Sequence, residues 1–110
     1  VKFLAELPEY DIDIYTHKKM KTNNEIALKA LELSRPALAA IEDFTEANVK
    51  EVLMNLAVAN EMKNGQIMWP VRIAISGLAS TPGGATEIAY LIGKEETLRR
   101  IDLGIAKLSQ

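Results

Sequence analysis

Apolar residues return every three or four positions in separate stretches of this 110-residue chain. That period commits it to helices packed on one another. After Asn23 or Asn24, a good cap, Ile26, Ala27, Ala30, Leu31 and Leu33 share one face of a helix. Pro36 is expected to break or kink it near Ser34. Asp43, three residues before Glu46, or Thr45 opens a second helix with Val49, Val52, Leu53, Leu56 and Ala57 inward, and Gly65 is expected to end it. Pro70 suits a first helical position, with Val71, Ala74, Ile75 and Leu78 inward and Arg72, Ser76 and Ser80 outward. "ATEIAYLIG" makes a short helix closed by Gly93. The last helix carries Leu98, Ile101, Leu103, Ile105 and Leu108, with Gly104 a mild weakness inside it. Phe3, Leu4 and Leu7 form one stripe at the start, as the tail of an upstream helix would, so the chain is expected to be a piece of a longer polypeptide.

"DIDIY" and "VRIAIS" alternate as strands do, yet the first is short and the second follows Pro70 and fits the helical period better. The expectation is an all-α compact bundle of about five short helices. Residues 1–66 are read as one helical subdomain and residues 67–110 as a second.

With no cysteine, disulfides, thiolate metal sites and thiol nucleophiles are excluded. No apolar run is long enough to span a bilayer, and the start lacks an export signal, so a cytoplasmic location and no membrane partner are expected. A net charge of −2 argues against a protein that blankets a DNA duplex. His17 is the sole histidine and has no triad or metal partners, so it reads as a surface residue. Glu95 and Glu96 suit the positive end of the last helix better than acid–base work. No catalytic constellation assembles.

One stretch is built differently from the rest: "NGQIMWPVRIAISGLASTPGG", with the only Trp, one Arg in an apolar run and a Thr-Pro-Gly-Gly turn. The turn opens a helix, offering amides and the helix dipole to an anion, although it lacks Walker spacing and its Lys. Arg72 offers a planar fork to a base edge or phosphate. Trp69 reads as core, or alternatively as the apolar anchor of a helical protein-interaction domain.

From "KFLAELPEYD" through "EIALKALELSRPALAAIEDFTEANVKEVL" to "KNGQIMWPVRIAISGLASTPGGATEIAYLIGKEETLRRI", the chain resembles the C-terminal anticodon-binding region of bacterial glutamyl-tRNA synthetase. The order Gly-Gln, Trp-Pro-x-Arg, Ser-Gly, Thr-Pro-Gly and Gly-Lys-Glu-x-x-Leu-x-Arg carries the resemblance. It implies the helical anticodon-binding domain of a class I synthetase, with glutamate tRNA and the upstream catalytic domains of the same polypeptide as partners. This piece would be non-catalytic and without a cofactor of its own, ATP and Mg being held in the catalytic domain that it lacks. By position, Arg72 implies a contact to the anticodon, and Thr81, Pro82, Gly83 and Gly84 the turn that packs on its bases. On the residues themselves, Arg99 and Arg100 are candidates for the tRNA backbone or, equally, for ion pairing along the helix surface. Gly84 stands where the resemblance leads one to expect a bulkier apolar residue, and Thr86 where it leads one to expect Phe. Lys18-Lys19-Met20-Lys21-Thr22 partly echoes the Lys-Met-Ser-Lys-Ser loop of class I synthetases. Lys21 and Thr22 fall on the wrong positions, so this is read as a solvated basic turn.

Overall fold

Asn23 Oδ1 accepts the Ile26 N–H at 2.9 Å and Thr45 Oγ1 accepts the Asn48 N–H at 3.1 Å. Two side-chain caps thereby start two of the helices in this computed structural model, which describes residues 2–110. Along the described residues run α1 (Lys2–Ala5), a 3-10 turn (Ile12–Tyr15), α2 (Asn24–Ala39), α3 (Glu46–Ala59), α4 (Asn64–Ser76), α5 (Ala85–Ile92) and α6 (Lys94–Leu108). The all-α expectation holds, with α1 added to the five longer helices. "DIDIY" is the 3-10 turn and "VRIAIS" lies within α4. Among the described residues no helix is long and apolar enough to cross a membrane.

Helix α2 is central, packing on α6, α4 and α3, while α4 also meets α3, α5 and α6. Ala27, Ala30, Leu31 and Leu38 of α2, Val49 and Leu53 of α3 and Ile67, Val71 and Ala74 of α4 are all fully buried. The boundary between residues 66 and 67 falls inside α4, which packs on helices from both sides of it.

Several local expectations are corrected. Pro36 does not break α2, which runs on to Ala39. The proline costs one N–H in the last turn, but Leu31, Ser34 and Leu38 are buried around it, and Arg35 grips Asp102 of α6 through Nε at 3.0 Å and Nη2 at 3.2 Å. Packing outweighs the local preference. Thr45, not Asp43, caps α3, which ends at Ala59, well before Gly65. Gly65 instead lies in the first turn of α4, and Pro70 is buried in its interior rather than starting it. The helix starts early because Gln66 Oε1 accepts the Lys63 N–H at 2.8 Å, satisfying a donor that would otherwise be orphaned. It stops at Gly77, whose φ of 69° is left-handed and suits glycine. Leu78 therefore falls outside the helix and is exposed, whereas Ser76, expected outward, is buried and donates to the Arg72 carbonyl at 2.6 Å.

Gly104 is not a weakness but a fitted contact. A Cβ there would lie 2.9 Å from the Tyr15 hydroxyl, 3.1 Å from Leu31 and 3.2 Å from Ala74. Tyr15 is fully buried and hydrogen-bonded to the Tyr10 hydroxyl at 2.7 Å, so it cannot swing aside. Gly104→Ala is expected to lower stability by about 1–3 kcal/mol through overpacking, despite alanine's helix propensity. Urea denaturation reads this directly; a stabilised variant would contradict the close approach.

Glu96 accepts from Arg99 Nε and Nη2 and from Arg100 Nε, each at 2.7 Å. The Arg99 bonds, seconded by Arg100 and opposed by partial burial, hold its carboxyl down at about 2. An unfolded glutamate titrates at about 4.3. The folded value is the lower one, so the stabilisation is complete above about pH 4.3 and is lost as pH falls toward 2. Glu96 keeps part of its side chain in water, which screens the effect well below the full shift. Glu96→Gln should lower stability at pH 7 and flatten its decline on acidification, as followed by urea melts at pH 7 and pH 3.

Candidate functional site

Trp69 and Arg72 are three residues apart on α4, so they share a face. The guanidinium carbon lies 4.8 Å from the Trp69 ring centroid. This is close enough for the ring's negative face to attract the cation. Trp69 is half-buried, donates its Nε1–H to the Ile14 carbonyl at 3.0 Å and meets the His17 ring at 4.3 Å between centroids. It is thus neither plain core nor a free apolar anchor. His17, read as an isolated surface residue, is half-buried, and its Nδ1 accepts the Met20 N–H at 3.2 Å.

Arg72 does not simply face outward. It is half-buried, and one end of its fork holds the loop after α4: Nη1 donates to Thr81 Oγ1 at 2.9 Å and Nη2 to the Ala79 carbonyl at 2.6 Å. Thr81 in turn donates its hydroxyl to the Gly83 carbonyl. A chain of donors runs from α4 through Thr81 into the glycine turn, so Arg72, Thr81 and Gly83 are brought together as one unit. Burial pushes the Arg72 pKa below its ordinary value, but a guanidinium stays charged at any working pH. Its Nε–H has no acceptor among the described residues, and Nε together with Nη2 makes the lateral edge of the fork, the geometry that grips two acceptors on a base or phosphate.

Pro82 and Gly84 are exposed. Gly84 precedes α5 with φ of −83°, and a Cβ there would meet nothing within 4 Å, so the missing bulk leaves open space and no backbone strain. Gly84 and Arg72 border a shallow depression of about 210 Å³, with Met20, Gly65, Met68 and Trp69. The Glu87 carboxylate lies against Gly83, where a Cβ would come within 2.5 Å of it. A negative charge already occupies the start of α5, which disfavours a phosphate at that helix end.

Arg99 is exposed and paired with Glu96. Arg100 corrects the expectation of a backbone contact: it is fully buried, donating from Nη1 to the Phe3 and Ile75 carbonyls at 2.7 Å each. It holds α1 and α4 onto α6 and has no surface to offer a ligand. Among the described residues no group of three or more His, Cys, Asp and Glu is gathered that could hold a metal ion. Sequence reasoning missed His17, Met20 and the Ala79 carbonyl. Only the Trp69-to-Arg72 spacing signalled a shared face; the others arrive through tertiary packing.

Residues 1–105 match the family described as Anticodon binding domain. The chain is 54% identical over 110 residues to a glutamate–tRNA ligase of Clostridium novyi, covering 100% of this chain and 23% of that protein. It is 55% identical over 106 residues to one from Clostridium botulinum, covering 96% and 22%. In structure it resembles a glutamate tRNA ligase from Elizabethkingia meningosepticum, solved in complex with its amino acid, with a TM-score of 0.80, 32% identity and coverage of 97% of this chain and 20% of that one. A glutamate-tRNA synthetase from Elizabethkingia anophelis gives a TM-score of 0.74 at 28% identity over 96% of this chain and 19% of that one. The chain thus spans less than a quarter of the length of these relatives. With its helical bundle and a match over residues 1–105, the chain belongs to the anticodon binding domain family.

Proposed function

We propose that this chain is the part of a cytoplasmic glutamate–tRNA ligase that reads the tRNA anticodon, supporting ATP-dependent ligation of glutamate by the rest of the polypeptide. The observation that carries the reading is the divided use of Arg72. One end of the guanidinium is tied to Thr81 and Ala79, which fixes its orientation, while its lateral N–H edge is left for a ligand beside the depression at Trp69. Unpaired anticodon bases can be splayed out, stacked and read on their edges. A few fixed donors suffice for that, so a net charge of −2 is no obstacle. Thr81 to Gly84 form the turn on which the bases pack, and the exposed ring of Pro82 offers an apolar surface there. ATP and Mg²⁺ belong to other regions of the parent polypeptide in this reading.

Titration with the anticodon stem-loop of glutamate tRNA, followed by amide resonances, tests it. Shifts should concentrate at Thr81, Gly83, Gly84 and the Arg72 Nε–H. An unperturbed turn at saturating RNA would contradict the reading.

A further inference from the structure

The turn Lys18 to Lys21 carries Met20 to the depression that Arg72 lines and holds three lysines on the same short loop. His17 and Thr22 exchange backbone hydrogen bonds at 3.1 and 3.2 Å, and Lys21 N–H donates to the Lys18 carbonyl at 3.2 Å, making a tight four-residue loop. The loop is fastened to α4 by two contacts: Gln66 Nε2 donates to the Lys21 carbonyl at 2.8 Å, and the His17 ring meets Trp69. Met20, at its tip, lines the same depression as Arg72. The lysines are therefore carried on a braced loop rather than a loose one.

Lys18, Lys19, Lys21 and Lys63 are all exposed, and among the described residues none has a carboxylate within 4.0 Å. Glu61, two residues before Lys63, makes no ion pair with it. The Lys21 ammonium beside Lys63 drives the Lys63 pKa below its ordinary value. Lys21 itself has φ of 56°, a left-handed conformation in which glycine or asparagine costs less. A chain of net charge −2 thus keeps four unneutralised cations on one short loop and on the helix start that Gln66 ties to it, next to the candidate site through Met20. Such an arrangement suits a polyanion, whose binding relieves the like-charge repulsion and releases counterions.

We propose that Lys18, Lys19, Lys21 and Lys63 form a binding edge for RNA backbone phosphates, receiving the nucleotides that flank the base held at Trp69 and Arg72. The proposal rests on the anticodon reading above and adds a sequence-independent contact to it. Phosphate contacts position the RNA and carry no base information, so the lysines and Arg72 should fail differently.

The test compares the full-length protein with its Lys18→Gln/Lys19→Gln/Lys21→Gln and Lys63→Gln variants, measuring affinity for glutamate tRNA and for an anticodon-substituted tRNA from about 50 to 200 mM salt. The expected result is a slope of log affinity against log salt shallower by about 0.7 per lysine removed. Both tRNAs should weaken by the same factor, leaving discrimination intact. Unchanged affinity and slope, with discrimination still lost in Arg72→Ala, would overturn the lysine edge while leaving the anticodon reading in place. Altered discrimination without a change of slope would also overturn it. So would a lower melting temperature with no change in RNA binding, which would assign the lysines to an acidic face of the parent polypeptide. A wild-type protein that binds neither tRNA would defeat both readings together.

Discussion

Arg100→Ala is expected to cost the fold about 3–5 kcal/mol, the scale of breaking a buried charged network by removing one partner. The side chain is fully buried and donates to the Phe3 and Ile75 carbonyls and to Glu96 at 2.7 Å each, with a longer bond of 3.3 Å to the Leu4 carbonyl. Truncation strands buried carbonyls, each worth roughly 1–3 kcal/mol when unpaired, and leaves a cavity between α1, α4 and α6. Arg100→Lys should recover little, because one ammonium cannot reproduce a planar fork that serves several acceptors at fixed angles. At roughly 4 °C or more per kcal/mol, the alanine variant should melt more than about 12 °C below wild type by circular dichroism. A shift under about 4 °C would contradict the view of Arg100 as an internal staple.

Arg100 also shows where the sequence stops speaking. In α6 the period of 3.6 correctly puts Ile101 inside, but the buried face consists of Thr97, Arg100, Ile101 and Gly104, whereas Leu103 is exposed. Polarity alone assigns Arg100 to the surface. Its acceptors lie 97 and 25 residues away, so no local pattern announces them. The helical class was legible because apolar spacing is local, and Asn23 and Thr45 stood among the cap candidates, each beside an alternative that only the structure removes. The helix ends around Pro36, Gly65 and Pro70 were not. At each, tertiary packing or a side-chain cap outweighs a residue preference of a few kcal/mol. The candidate site divides in the same way. Arg72 and the Thr-Pro-Gly-Gly turn were visible as an uneven stretch, but the folding back of Arg72 onto Thr81 and Ala79 was not, because it depends on where Gly77 turns the chain.

That folding back shapes the second large effect. Arg72→Ala removes the fork that the proposed reading assigns to a base edge and also the bonds that hold Thr81, so in that reading the turn loses its anchor as well as its reader. A bidentate contact to one base edge discriminates by about 1–3 kcal/mol, or about 5- to 150-fold. Arg72→Lys keeps the charge and sacrifices the fork. It should therefore retain much of the affinity while losing most of the discrimination. Neither change should unfold the domain, because Arg72 is only half-buried and its loop acceptors reach water.

The most direct measurement is the ratio of kcat/KM for glutamate tRNA to that for an anticodon-substituted tRNA, compared between the wild-type full-length protein and Arg72→Lys. The ratio is expected to fall by about 5- to 150-fold, mostly through slower charging of the natural tRNA. An unchanged ratio in a variant of wild-type stability would show that Arg72 does not read the anticodon.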